Sequence, residues 1–293
     1  MRKQFVTTLE DILLNNSSAV LFLGDIGVYG FKNLFQEIPE RIYNIGILEQ
    51  TTIGLSAGLS MTGLIPFVYT IAPFIVERAL EQLKIDFGYQ ELNGNFISIG
   101  ASYDYSSLGA THHCPADIQL ISSIPNFEIV IPGTSYELNI LINQCYNNGH
   151  PTYFRLSEYE NDIQVDIKFG RGNLIKQGND ATILCFGNML DKVIKATENL
   201  NVNVLYYSTI LPFDSNLLIE NFNENIIIIE QFYEGSVNHI ISPILKNKKC
   251  RISNISVPRR FITNYSNKDK IDEILGLDVQ SLKTKISTIC YDR

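Results

Sequence analysis

The chain has 293 residues, 45% of them hydrophobic and 18% charged, with a formal net charge of −8. That length predicts two domains with enough apolar residues for each to bury a core, and the negative balance excludes a general affinity for nucleic acid or anionic lipid. No apolar run approaches the roughly 18 residues of a membrane span, and the first residues, Met1-Arg-Lys-Gln4, do not lead into the apolar core of a signal peptide, so a cytoplasmic protein is expected.

Apolar strands alternate with helical segments along the first half. Strands are expected at 19–24, 41–44, 65–70, 95–100, 127–131 and 152–155, with helical patterns between them. The pattern relaxes over residues 157–179, a polar, glycine-bearing stretch that reads as a linker. A second series follows, with strands near 181–186, 203–207, 225–229 and 250–255. The run Ile226 to Ile229 is most simply a buried parallel strand. The fold expectation is α/β: two tandem domains, each a mostly parallel sheet with helices on both faces. Boundaries are set at 1–160 for the first domain, 161–178 for the linker and 179–293 for the second. Cys114, Cys145, Cys185, Cys250 and Cys290 show no CxxC spacing, so reduced thiols are expected rather than a zinc site or disulfides.

One segment concentrates the chemical signal. Asn44-Ile-Gly-Ile-Leu-Glu-Gln50 runs into a small-residue series, Gly54, Ser56, Ala57, Gly58, Ser60 and Gly63, and carries Glu49 alone among uncharged neighbours. It predicts a strand, a turn at Gly46 and a helix from about Glu49 to Met61, whose glycines let another backbone or a flat ligand approach closely. An acid kept in an apolar place can give or take a proton near neutral pH. The alternative is a Glu that simply complements the helix dipole. Ligands in such sheets collect at the C-terminal strand ends, which directs attention to Asp25, Phe74, the pair His112-His113 and Arg155. His150 and His239 have no comparable context.

The chain resembles the C-terminal half of transketolase, and most closely the separate C-terminal subunit found where transketolase is split over two genes. The resemblance covers nearly all residues. It is carried by Leu23-Gly-Asp25, the Glu49 segment with Ala57-Gly-Leu59, Gly63 and Pro66-Phe67, then Phe74, Arg78-Ala79 and Glu81-Gln82. It continues through Gly109-Ala-Thr-His-His113 with Asp117, Ile124-Pro-Asn-Phe127, Val130-Ile-Pro132, Glu137-Leu138 and Pro151-Thr-Tyr-Phe-Arg-Leu156.

The resemblance implies thiamine diphosphate chemistry, with Glu49 as the acid that hydrogen-bonds the cofactor pyrimidine and favours the tautomer able to take the thiazolium proton. It implies that Phe74 stacks on that ring, with Ile71 as an apolar wall where relatives carry a second Phe; the other reading of Phe74 is a core aromatic. His112 matches the histidine beside the reaction centre. His113 stands where relatives often have Gln, and the His pair is a poor metal half-site because no third ligand is suggested nearby. Arg155 resembles the arginine that holds a sugar phosphate; the alternative is a salt bridge to Glu158 or Glu160. Arg2 matches a second phosphate-region arginine only by its place near the start.

Departures are equally informative. Leu108 stands where relatives usually have an acid that contacts donor hydroxyls, and a further family histidine, whose place would be near Gly100, is absent. The loop 101–107, with Tyr103, Asp104 and Tyr105, reads as a replacement binding surface. Leu23-Gly-Asp-Ile-Gly27 is a near miss to the metal and diphosphate motif, so Asp25 is better read as a strand-end residue at the cofactor. Mg2+ and diphosphate ligands are expected on a partner, the N-terminal subunit, in a heterotetramer of two copies of each chain. The implied activity is transfer of a two-carbon ketol unit between sugar phosphates. Alternatives are the beta subunit of a 2-oxo-acid dehydrogenase, a deoxyxylulose-phosphate-synthase-like ligase, or a non-catalytic scaffold subunit.

Overall fold

The computed structural model describes residues 1–291, and contains two α/β layers joined in sequence. The first sheet is built from β1 (Ala19–Leu23), β2 (Ile42–Asn44), β3 (Ile65–Ile71), β4 (Gly94–Ile99), β5 (Glu128–Val130) and β6 (Pro151–Arg155). The second contains β7 (Gly172–Lys176), β8 (Thr182–Phe186), β9 (Asn203–Tyr207), β11 (Asn225–Tyr233) and β12 (Arg251–Val257). A further short strand, β10 (Thr209–Leu211), completes the first sheet, whose order is β10-β5-β6-β4-β3-β1-β2; the second runs β12-β11-β8-β9-β7.

Every pairing among β1 to β6 is parallel, which places all their C-terminal ends on one edge. Helices cover both faces, so the strands read as nearly unbroken apolar runs: β1 is Ala-Val-Leu-Phe-Leu and buried throughout. The long helices Arg2–Asn15 and Ser135–Cys145 pack together on one face, and the Glu49–Met61 helix packs against β3.

Two strands depart from the expected pattern. Gly172–Lys176, inside the stretch read as linker, is the antiparallel edge strand β7, paired with β9. Thr209–Leu211 leaves the second domain and pairs antiparallel with β5 of the first. Among the described residues, no helix is long and apolar enough to cross a membrane. All five cysteines are free; Cys114, Cys145 and Cys185 are buried.

Candidate functional site

The chain leaves β2 through Gly46, whose φ of +81° suits glycine, and enters the Glu49–Met61 helix three residues later. Glu49 is therefore the first helical residue and is only 3% exposed. Its Oε2 accepts a 2.6 Å hydrogen bond from Arg78 Nη1, while Oε1 is buried with no partner. A carboxylate at a helix N-terminus is favoured by the dipole, but an orphaned buried oxygen costs free energy unless something outside the chain meets it.

The other side chains follow from β3. Half-buried Ile71 ends that strand and caps the helix Ala72–Val76, which presents Phe74. The Arg78 guanidinium carbon lies 4.3 Å from the centroid of the Phe74 ring, and the His112 ring meets Phe74 edge-on at 5.4 Å. His112 Nδ1 sits 2.9 Å from Thr111 Oγ1, and Tyr105 approaches the imidazole edge-on at 6.2 Å. Glu49, Arg78, Phe74, His112 and Tyr105 thus form one continuous series of contacts, offering an acid with a free oxygen, an aromatic face and an oriented imidazole. Arg78 is the member that sequence reasoning passes over; its signal is the Arg78-Ala79 pair of the matched motif.

Asp25 sits past β1 with φ +57°, exposed and tied to its neighbour strand. Its backbone N–H donates to Asn44 Oδ1 at 3.0 Å, and its carboxylate accepts from Asn44 Nδ2 at 3.1 Å. Exposed Arg2 donates through Nε to the Tyr69 hydroxyl at 3.1 Å and lines a separate surface cleft with Lys3, Gly27 and Tyr29. His113 is buried beside His112. His150 and His239 are exposed.

Arg155 makes a salt bridge, but not to the carboxylates expected for one. It closes β6 as expected, but it is buried, with Nε 2.6 Å from Asp117 Oδ2 and Nη2 donating to the Gln231 carbonyl of the second domain at 3.2 Å. The guanidinium is thus held in the interior between Asp117 and the second domain. Its partner is neither Glu158 nor Glu160.

The loop 101–107 is likewise not a free binding surface. The helix Lys268–Leu275 covers it: the Tyr103 hydroxyl donates to Asp272 Oδ1 at 2.5 Å, and Asp272 also binds Lys192 and Lys268, the latter at 2.9 Å. Asp104 is buried and accepts from the Glu158 backbone N–H at 2.9 Å. Only Tyr105 of the three turns toward His112.

The family model described as transketolase, pyrimidine binding domain, matches residues 1–162, and that described as transketolase, C-terminal domain, matches residues 170–282. Among curated proteins, the chain is 35% identical over 289 residues to an uncharacterized 33.6 kDa protein in the fasciation locus of Rhodococcoides fascians, covering 97% of this chain and 93% of that one. It is 28% identical over 296 residues to an apulose-4-phosphate transketolase subunit of Phocaeicola vulgatus, covering 96% and 94%. The fold is also that of a solved structure described as a split gene transketolase, inactive beta4 tetramer, with a TM-score of 0.86, 23% identity and coverage of 99% and 97%. The chain belongs to the transketolase family and spans its pyrimidine-binding and C-terminal domains.

Proposed function

We propose that this chain is the C-terminal subunit of a two-component, thiamine diphosphate-dependent transketolase, which moves a two-carbon ketol unit between a ketose donor and an aldose acceptor, sugar phosphates among them. The observation that carries the reading is Glu49 Oε1, a buried oxygen without a partner at the edge where parallel strands end. A pyrimidine nitrogen arriving there would satisfy it. Phe74 would flank that ring, with Ile71 as the wall behind it, and His112, held through Nδ1, would exchange protons with substrate hydroxyls. When bound, the cofactor supplies the carbon nucleophile that no side chain can provide.

The division of labour follows from what this chain carries. The first domain (1–160) holds the site, and the second, whose sheet already includes β7 at Gly172–Lys176, braces it. Asp25 is engaged with Asn44, so the Mg2+ and diphosphate ligands belong to an N-terminal partner subunit. The Phocaeicola vulgatus relative is itself named as a subunit of a transketolase, and this chain covers 94% of it, which supports one component rather than a whole enzyme. The outer face of the Glu49–Met61 helix supports a docked partner: an added Cβ at Gly58 would meet nothing within 4 Å, and at Gly54 only Asp86 Oδ2 at 3.6 Å, while Ile47, Leu48, Leu55 and Met61 are exposed around them. The assembly is a cytoplasmic heterotetramer of two copies of each chain.

Reconstitution with the N-terminal subunit tests this directly. Glu49→Ala is expected to leave folding and assembly intact and to lower turnover by about 10² to 10⁴, the usual range for a general acid–base group. Near-wild-type turnover would remove Glu49 from the mechanism. Micromolar binding of thiamine diphosphate with Mg2+ by the chain alone would overturn the two-component reading.

A further inference from the structure

A second polar feature adjoins the site. A cavity of about 60 Å³ lies between the two domains, lined by Glu77, His113 and Pro115 of the first and by Tyr233, Phe261 and Ile262 of the second. His113 is 6% exposed, and neither ring nitrogen makes a well-formed hydrogen bond, the Tyr105 backbone being the one polar group of the chain that acts on the ring as a hydrogen-bond partner. An imidazole in that state is costly unless a ligand or water meets it. Burial also holds its pKa below the ordinary histidine value, so near neutral pH the ring is uncharged, with one nitrogen donating and the other accepting.

Glu77 follows the helix Ala72–Val76 that carries Phe74, and its carboxylate accepts from the Cys114 thiol at 3.6 Å. Neither Lys nor Arg is among the described residues that line the cavity. Charge is therefore the basis of selection here. The volume admits several waters at about 10–15 Å³ for each, enough for a hydroxymethyl group. A phosphate would meet the Glu77 carboxylate in the lining itself, whereas Arg259, whose charge is felt at Tyr233, lies outside that lining, so the local repulsion disfavours anions. Pro115, Phe261 and Ile262 offer apolar surface to the carbon side of a sugar.

We propose that this cavity is a specificity subsite for the uncharged, hydroxyl-bearing end of a sugar, with His113 and Glu77 as its polar contacts and Phe261 and Ile262 of the second domain as its wall. The proposal rests on the ketol-transfer reading, because the subsite shares one loop with His112 and one helix with Phe74. It places substrate discrimination partly in the second domain.

Two measurements test it. In the full chain alone, titration with glycerol is expected to shift the His113 ring resonances, and glycerol 3-phosphate to do so at least about tenfold more weakly, the scale set by one unmatched polar contact. Glu77→Lys, which keeps the reporting ring, is expected to reverse the order, so that glycerol 3-phosphate shifts the His113 resonances more strongly than glycerol. No response to glycerol, or a stronger one to glycerol 3-phosphate, overturns the subsite without reference to catalysis. In the reconstituted complex, His113→Phe should raise KM for a donor with an uncharged terminus about tenfold with a smaller change in kcat, His113→Gln should restore most of it, and Glu77→Lys should shift preference toward a phosphorylated terminus. If the wild-type complex transfers ketol units while these variants, checked for unchanged melting temperature, leave KM and preference untouched, the subsite is overturned and the proposed function stands. If the wild-type complex transfers none, the proposed function falls and the glycerol titration still decides the cavity.

Discussion

Removing the Arg155 guanidinium leaves Asp117 fully buried with only the Tyr153 hydroxyl, at 3.0 Å, and the Ile118 backbone N–H, at 2.9 Å, to solvate it. Breaking one side of a buried ion pair costs about 3–5 kcal/mol, most of it the penalty on the charge left behind. Arg155→Ala is therefore expected to lower the urea midpoint strongly, and the double variant Arg155→Met with Asp117→Leu to recover much of the loss. In the reconstituted enzyme, Arg155→Ala should depress kcat/KM equally for phosphorylated and unphosphorylated substrates; a loss confined to the phosphorylated one would show that the guanidinium reaches a phosphate after all. Arg155 also marks a limit on what the sequence makes legible. Its position at a strand end is readable from the alternation of strands and helices, but its partner lies 38 residues earlier, and sequence reasoning looks first at the nearby Glu158 and Glu160. Glu49 is the opposite case. An acid in an uncharged, small-residue segment is conspicuous in the chain, and the fold buries it at the first turn of the expected helix.

At the scale of elements, the helix Ser135–Cys145 is fastened to β9 through Glu137. This carboxyl is fully buried, its Oε2 accepting from Gly133 N and the Tyr206 hydroxyl at 2.7 Å each, and burial pushes its pKa up to about 7 from 4.5. The folded chain thus holds a proton there that the unfolded chain releases above pH 4.5. The resulting stabilisation is complete below that pH and is lost as pH rises through about 7, an effect on the order of 3 kcal/mol. Buried Asp104, pushed up to about 6, and Glu230, pushed up to about 8, act in the same sense. Glu137→Gln should flatten its share: the difference in unfolding free energy between wild type and variant is expected to change over pH 4.5 to 7 and to stay level above it. The elements legible in the sequence are those with long apolar runs, such as β1 and β8, or a glycine-rich helix after a turn. Strands β7 and β10 are not legible because each is an antiparallel edge piece. The first is only partly buried along Gly172–Lys176, and the second has three residues, too few to set a period.

For the whole molecule, the exposed face of the Glu49–Met61 helix gives the sharpest test of a partner. Glycine in a helix interior costs roughly 0.5–1 kcal/mol relative to alanine, and Gly58 has open space beyond it. Gly58→Ala should therefore raise the melting temperature of the chain alone, and Gly58→Leu should leave it folded. If a partner backbone approaches that face, Gly58→Leu should nonetheless weaken assembly and activity together, measured by sedimentation and turnover; unimpaired assembly would place the partner elsewhere.

Strand β10 carries a further consequence for the chain as a whole. Because the second domain lends Thr209–Leu211 to β5, a fragment cut at the connecting stretch would expose Glu128–Val130 as a bare sheet edge, with unpaired backbone groups ready to recruit any strand it meets. The second domain is thus also a guard against self-association. A fragment of residues 1–162 is expected to aggregate or to exchange strands with its own copies at concentrations where the full chain stays dispersed, which light scattering would reveal; a stable, dispersed fragment would show that the borrowed strand is dispensable to solubility.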